Sequence, residues 1–215
     1  MTTDRPSILG VIVAGGGSRR FAGGDKACAE LAGIPLLARV ARRVRPQVDA
    51  LIVNGPQALA PITGMTVEVI ADTMPGQGPL GGIVDALAYA RDRGFTHVAS
   101  FPCDTPFFPM DTVARLLQGL SGSEFEYATV VTDDDEHRIF GLWPTICLPR
   151  LADAFTAGLR KLKGIEGVLR RKAVCFSVSG NGPRGDPFFN INTAADLAVA
   201  EHWLKERKAA QADPH

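Results

Sequence analysis

No uninterrupted apolar run in the sequence approaches the roughly 20 residues that a membrane-crossing helix needs. The polar start, Met1 to Pro6, runs directly into an apolar strand and lacks the basic, hydrophobic and cleavage segments of a secretory signal. A cytoplasmic protein with no membrane contact is expected. An excess of charge is missing too. Twenty-three Lys and Arg balance 23 Asp and Glu, which argues against a nucleic-acid binder held by bulk charge. Cysteine is scarce: Cys28, Cys103, Cys147 and Cys175 are far apart and form no CxxC, so neither a zinc site, a redox dithiol nor a disulfide framework is expected. Cys28, Cys147 and Cys175 lie in apolar stretches and read as small core fillers. There is no internal repeat and no linker long enough to divide the chain. At roughly 150 residues per domain, 215 residues make one domain or at most two.

What is present is an alternation of short apolar runs and helical patterns. Ile8 to Val13, Ala50 to Val53, Val67 to Ile70 and His97 to Phe101 read as buried strands. Between them, Pro35 marks a helix start whose face is Leu37, Val40, Ala41 and Val44, and a second helix runs through Val84, Leu87, Ala88 and Ala90. This order predicts a three-layer α/β fold with a mainly parallel sheet. Ligands in such sheets bind beyond the carboxyl ends of the strands. The loops after Val13, Ile70 and Phe101 should therefore meet at one edge. The second half is less regular. Tyr127 to Thr132, Ile139 to Trp143 and Ala173 to Val178 read as strands. Leu148 to Arg160 and Ile165 to Arg171 read as helices, and Thr193 caps a last helix through Leu197, Ala200 and Leu204. The acidic run Asp133-Asp134-Asp135-Glu136 reads as a solvated turn rather than a metal site.

The strongest segment for chemistry runs from Val13 to Lys26, with Gly15, Gly16, Gly17, Gly23 and Gly24 beside Arg19, Arg20 and Lys26. Glycines let backbone amides approach a phosphate, and the three cations add charge, so the loop suits a triphosphate. It is not a P-loop, because Lys26 follows Asp25 and precedes Ala27. It is not a dinucleotide fingerprint either, because Gly15-Gly16-Gly17 leads into Ser18-Arg19-Arg20 with no third glycine in place. Asp104 closes a buried strand, where a carboxylate faces the site; hard oxygen donors of this kind suit magnesium, which also takes substrate phosphates.

The glycine loop resembles the AGGxSxRxGxDK signature of nucleotidyltransferases that activate small acceptors. Gly78-Pro79-Leu80-Gly81-Gly82 is similar to their GPLxG loop, Pro102-Cys103-Asp104-Thr105-Pro106 to their PCDxP motif, and Phe189-Asn190-Ile191-Asn192-Thr193 to their FxNxNT segment. All four occur in order between Ile8 and about Trp203. Within the group the sequence is most similar to the molybdenum cofactor guanylyltransferases, which join GMP from GTP to molybdopterin. Phe21-Ala22 replaces the usual Met-Gly, and His137-Arg138 stands where His-Pro is usual.

The resemblance implies a Rossmann-like nucleotidyltransferase fold over residues 1–215, with a nucleotide-binding half at 8–110, an acceptor-binding half at 111–208 and a tail at 209–215. It implies that Val13, Ala14, Gly15, Lys26, Asn54, Asp72 and Asp104 bind the nucleotide, and that Arg20, Lys26 and Asp104 are catalytic. Asp104 would hold Mg, and Asn190 and Asn192, on alternate positions, would meet the pterin acceptor. Asp72 and Asn54 have a turn role open to them as well, and Asn190 and Asn192 a role in fixing the turn before the last helix. Arg160-Lys161 and Arg170-Arg171-Lys172 either attract the acceptor's phosphate or form a solvated basic helix face. His97 and His202 read as structural or solvent-facing. The implied partners are GTP and molybdopterin as substrates, with transient contacts to other cofactor-assembly proteins and recipient molybdoenzymes.

Overall fold

The computed structural model describes residues 5–14, 26–73, 76–133, 135–177 and 181–212. The glycine loop from Gly15 to Asp25, including Arg19 and Arg20, lies outside the described residues. In chain order the elements are β1 (Ile8–Val13), the short hairpin β2 (Glu30–Leu31) and β3 (Ile34–Pro35), α1 (Leu36–Val44), β4 (Ala50–Asn54), β5 (Glu68–Ile70), α2 (Pro79–Asp92) and β6 (His97–Pro102). There follow α3 (Thr112–Gly119), β7 (Glu126–Val131), β8 (Glu136–Pro144), α4 (Leu148–Thr156), β9 (Arg170–Cys175) and α5 (Ala194–Ala212).

The main sheet has seven strands in the order β5-β4-β1-β6-β8-β7-β9. β5, β4, β1 and β6 pair in parallel; β8 is antiparallel to both β6 and β7, and β9 is parallel to β7. One strand of the seven, β8, thus runs against the rest, and the α/β, mainly parallel expectation holds. The alternation of β1 explains its uninterrupted apolar run. Ile8 and Ile12 enter one core layer with α1 and α3, whereas Leu9, Val11 and Val13 enter the other with α2 and α4. Both faces are covered, so no polar alternation appears. Gly10 lies beneath the first layer, where a Cβ would come within 3.0 Å of Val44 and Val48.

A third apolar cluster holds the site together from outside the sheet. Leu31 and Leu36 meet Phe107, Phe189, Ile191 and Ala200, and Trp203 of α5 packs edge-on to Phe107 at 5.0 Å. Each of the buried Leu, Ile and Phe side chains contributes about 1.5–3 kcal/mol. The segments after β6 and before α5 are thereby pressed together, and Ile191 N–H donates to the Asp104 carbonyl at 3.0 Å.

Several local expectations change. Pro35 precedes α1 as its cap residue rather than opening it, because it also bridges to Glu30 in the hairpin. α4 ends at Thr156, and the positive φ of Gly158 (102°) turns the chain two residues later. The expected helix at Ile165 to Arg171 does not form. Leu162–Gly167 is a 3-10 turn, interrupted by Gly164 and Gly167, and Arg170–Cys175 pairs with β7 as an edge strand. Pairing supplies partners to the open edge of β7, which outweighs a weak helical preference. Cys147 is buried as expected, but Cys28 and Cys175 are exposed, so they fill no core. No described helix is long and apolar enough to cross a membrane.

Candidate active site

The strand register builds one edge. Val13 lies opposite both Asn54 and Pro102, and Asn54 lies opposite Ile70. The carboxyl ends of β5, β4, β1 and β6 therefore stand side by side, and the residues that follow them, Asp72, Ala14 and Asp104, emerge along one rim. Because β8 is reversed, its beginning rather than its end reaches this rim, which brings Glu136, His137 and Arg138 there too.

Lys26 is the convergence point. Its ammonium pairs with Asp104 Oδ2 and donates to Asn192 Oδ1 at 2.6 Å and to Asn190 Oδ1 at 3.4 Å. Its side chain is 6% exposed and that of Asp104 14%, so this pair is largely withdrawn from solvent. Bonds between groups 78 and 166 residues apart show that three of the sequence motifs form a single site. Thr105 Oγ1 donates to the other Asp104 oxygen at 3.1 Å, which fixes the carboxylate. On the far side, Asp196 accepts from Thr193 N–H, Thr193 Oγ1 and Asn192 N–H, while Thr193 Oγ1 accepts from Asp196 N–H. This reciprocal cap starts α5 and sets Asn192 at the same time. Burial raises the Asp196 carboxyl, but the Thr193 hydroxyl and the two N–H donors outweigh it and hold it below the usual carboxylate range.

The other expected residues are placed as follows. Val13 is buried at the end of β1, and Ala14 N–H donates to the Asn54 carbonyl at 2.9 Å. Asn54 is fully buried, and among the described residues neither of its amide atoms has a hydrogen-bond partner. It lies against Gly82, where a Cβ would come within 2.3 Å of Asn54 Oδ1. A Cβ on Gly81 would meet Phe155 at 3.3 Å and Asp72 Oδ1 at 3.7 Å. The GPLGG glycines thus let α2 start directly against the strand ends. Asp72 is half-buried beside that first turn. Gly15 and Arg20 lie outside the described residues.

A cavity of about 750 Å³ opens beside this cluster, reaching Asp104, Asn190 and Gly76 to Pro79. Arg160, Lys161 and Lys163 form part of its wall. Arg160 is held by Gln77 Oε1 (2.7 Å), by the Leu159 carbonyl (2.9 Å) and by its stack on Phe155 at 4.3 Å. Arg170, Arg171 and Lys172 do not share this role or form a helix face. They lie on β9, where Arg171 pairs with Glu136 (2.8 Å) and Glu166 (3.4 Å), and Lys172 with buried Glu126 (3.4 Å). Arg138 closes the same network through Glu136 and Glu166. The Arg171 and Arg138 hydrogen bonds hold Glu136 below the usual carboxylate range, as Arg138 does for Glu166. A comparable hollow of about 700 Å³ lies beside Phe125 and Arg170, at the opposite end of the sheet where β7 and β9 begin.

His97 is half-buried, and burial holds its imidazole below the ordinary value; His202 is exposed and pairs with Glu206. His137 and Asp186 also line the cavity, and no sequence motif marks either of them. The departure from His-Pro at His137-Arg138 was the one available signal.

A model of the MobA-like NTP transferase domain matches residues 10–174. A molybdenum cofactor guanylyltransferase of Rhizobium leguminosarum bv. trifolii is 39% identical over 210 residues, covering 95% of this chain and 97% of that protein. One from Nitrobacter hamburgensis is 37% identical over 207 residues, covering 94% and 96%. Among solved structures, the molybdopterin-guanine dinucleotide biosynthesis protein A of Archaeoglobus fulgidus superposes with a TM-score of 0.71 at 23% identity, over 93% of this chain and 99% of that one.

Proposed function

Since this chain belongs to the MobA-like NTP transferase family, we propose that it transfers GMP from GTP to the terminal phosphate of molybdopterin and releases pyrophosphate. The observation that carries this reading is the meeting of Lys26, Asp104, Asn190 and Asn192 beyond the strand ends, next to a cavity of about 750 Å³. The nucleotide half is assigned to residues 8–110 and the acceptor half to 111–208, as parts of one domain in a cytoplasmic enzyme.

The acceptor attacks as a phosphate oxygen that is already anionic, so the chemistry needs no strong general base. What it needs is alignment and charge neutralisation around the α-phosphorus. Lys26 supplies a preorganised ammonium, aimed by three oxygen acceptors, and Arg20 is assigned beside it on the triphosphate. Val13, Ala14, Gly15, Asn54 and Asp72 are assigned to binding the nucleotide. Neither amide atom of Asn54 has a partner among the described residues, which leaves both for the nucleotide in this reading.

Magnesium fits the donor set, because Asp104, Asn190 and Asn192 all present hard oxygens in one place. Among the described residues no cluster of three His, Cys, Asp or Glu exists, so phosphates must complete its shell. Asp104 would hold the ion, which when bound neutralises charge on the phosphates. Molybdenum cofactor assembly proteins and recipient enzymes are the proposed transient partners.

The test is pyrophosphate release from GTP, CTP, ATP and UTP with purified molybdopterin. GTP should be turned over in clear preference to the others. A preference for CTP would make the chain a cytidylyltransferase on the same fold. GTP binding without pyrophosphate production would reduce it to a nucleotide-binding protein.

A further inference from the structure

The large cavity is lined by groups of both charges. Arg160, Lys161 and Lys163 line it, and so do His137 and Asp186, together with the Arg138–Glu136 pair, Asp104 and Asp135. Among the described residues no ion pair joins Asp186 to any of these cations, and none of the three cations pairs with a carboxylate. Opposite charges in one cavity that do not neutralise each other are arranged for a ligand carrying both complements.

Asp186 is half-buried. Its Oδ1 accepts the Phe188 N–H at 2.7 Å, which fixes the carboxylate in place just before the Phe189–Asn192 segment. Oδ2 has no partner among the described residues, and a carboxylate offers about four lone-pair sites in all. Next to it, the His137 ring stacks on Phe188 at 4.9 Å, with 27° between the planes. Phe188 is fully buried and His137 only half, so Phe188 backs the imidazole; Thr132 Oγ1 lies 3.4 Å from its Nε2 and Phe140 packs edge-on at 6.4 Å, and the half-buried ring still lines the cavity. Burial keeps this imidazole below its ordinary pKa despite Asp186 and Asp135 nearby, so it is a neutral, flat surface at pH 7.

Resting on the guanylyl-transfer reading above, we propose that Asp186 is the specificity-determining residue of the acceptor site. Its carboxylate takes the paired N–H donors of a 2-amino-4-oxo heterocycle lying against His137, while Arg160, Lys161 and Lys163 hold the phosphate at the acceptor's other end. A planar pair of donors matches a carboxylate in two parallel hydrogen bonds. A site built around such donors rejects an analogue lacking one of them far more strongly than an apolar slot would. Replacing the 2-amino group by a carbonyl removes a donor and also sets an oxygen against the carboxylate.

The experiment is competition with molybdopterin in the GTP-dependent reaction, using 6-hydroxymethylpterin phosphate and its lumazine counterpart, which carries a 2-oxo in place of the 2-amino group. The wild-type chain should favour the pterin by at least about tenfold in inhibition constant, the scale of 1.4 kcal/mol. Asp186→Asn keeps an oxygen for Phe188 N–H. It should raise the KM for molybdopterin at least about tenfold, erase the pterin preference, and leave GTP binding unchanged within about twofold. Asp186→Glu should restore part of the preference, and its folding is checked independently by circular dichroism.

Equal inhibition of wild type by the two analogues overturns the proposal without any variant. So does no inhibition by either at about 1 mM, a preserved preference in Asp186→Asn, or a loss of GTP affinity in that variant. The last result would place Asp186 in the nucleotide site. If wild type releases no pyrophosphate from GTP and molybdopterin at all, the guanylyl-transfer reading fails. Normal turnover with an unmoved preference overturns only the role of Asp186.

Discussion

Replacing Lys26 by alanine removes the ammonium that Asp104, Asn190 and Asn192 share and leaves a largely buried carboxylate without its counter-charge. Turnover should fall at least about tenfold, equivalent to about 1.4 kcal/mol of barrier. A folded Lys26→Ala protein with unchanged kcat would take Lys26 out of catalysis. Tyr127 tests the opposite case, a polar group with nothing to lose. It is 1% exposed, its hydroxyl has no partner among the described residues, and burial pushes its pKa up to about 12. The ring earns its place by stacking on Trp143 at 4.6 Å, which phenylalanine preserves. Tyr127→Phe should therefore leave the urea midpoint unchanged or raise stability by up to about 1 kcal/mol. A loss of that size would reveal a hidden partner, such as a bound water.

Two helix starts carry the elements of the site. α5 begins on the reciprocal bonds between Thr193 and Asp196, and the same carboxylate receives Asn192 N–H. Thr193→Ala should cost about 1 kcal/mol in chemical unfolding. Because Asn192 is set by the same cap, it should also raise the KM for the acceptor more than that for GTP. α2 begins where Gly82 touches Asn54 with no space for a methyl group. Gly82→Ala should destabilise by about 1–3 kcal/mol through overpacking. Adding Asn54→Ala should recover part of that loss, and a double-mutant cycle on unfolding free energies measures the coupling. Strict additivity would show that the two side chains do not meet.

Two half-buried imidazoles tie the stability of the whole molecule to pH. Burial holds His97 and His137 below the ordinary value of 6.5. The unfolded chain therefore takes up protons that the folded chain refuses once the pH drops below 6.5, and folding loses free energy there. The loss starts below 6.5, grows as pH falls, and levels off beneath the lowered folded-state values. Urea midpoints measured from pH 7.5 to pH 5 should decline through this window. The decline should be shallower in His137→Asn, since one of the two groups no longer titrates. A flat profile in the wild-type chain would mean that neither imidazole is held neutral.

Local pattern was enough to identify the strand–helix alternation of the first half and the edge where the loops after Val13, Ile70 and Phe101 meet, while the four motifs were legible through their resemblance to a family. Periodicity and glycine content are properties of neighbouring residues, and parallel strands send their following loops to one edge. Nothing in the run Ile165 to Arg171 announced that it would turn at Gly167 and then pair with β7, because the open edge that captures it is built from residues 126–131. The same holds for charge. In sequence Arg171 and Arg160 are equally basic, but folding brings Glu136 and Glu166 to Arg171 across two strands and a turn, while Arg160 faces the cavity with no carboxylate partner among the described residues. Which side chains exist, and in what order, is a fact of the sequence. Which of them are neutralised, and which remain for a substrate, depends on distances of a few ångströms between residues far apart in the chain, and only folding sets those distances.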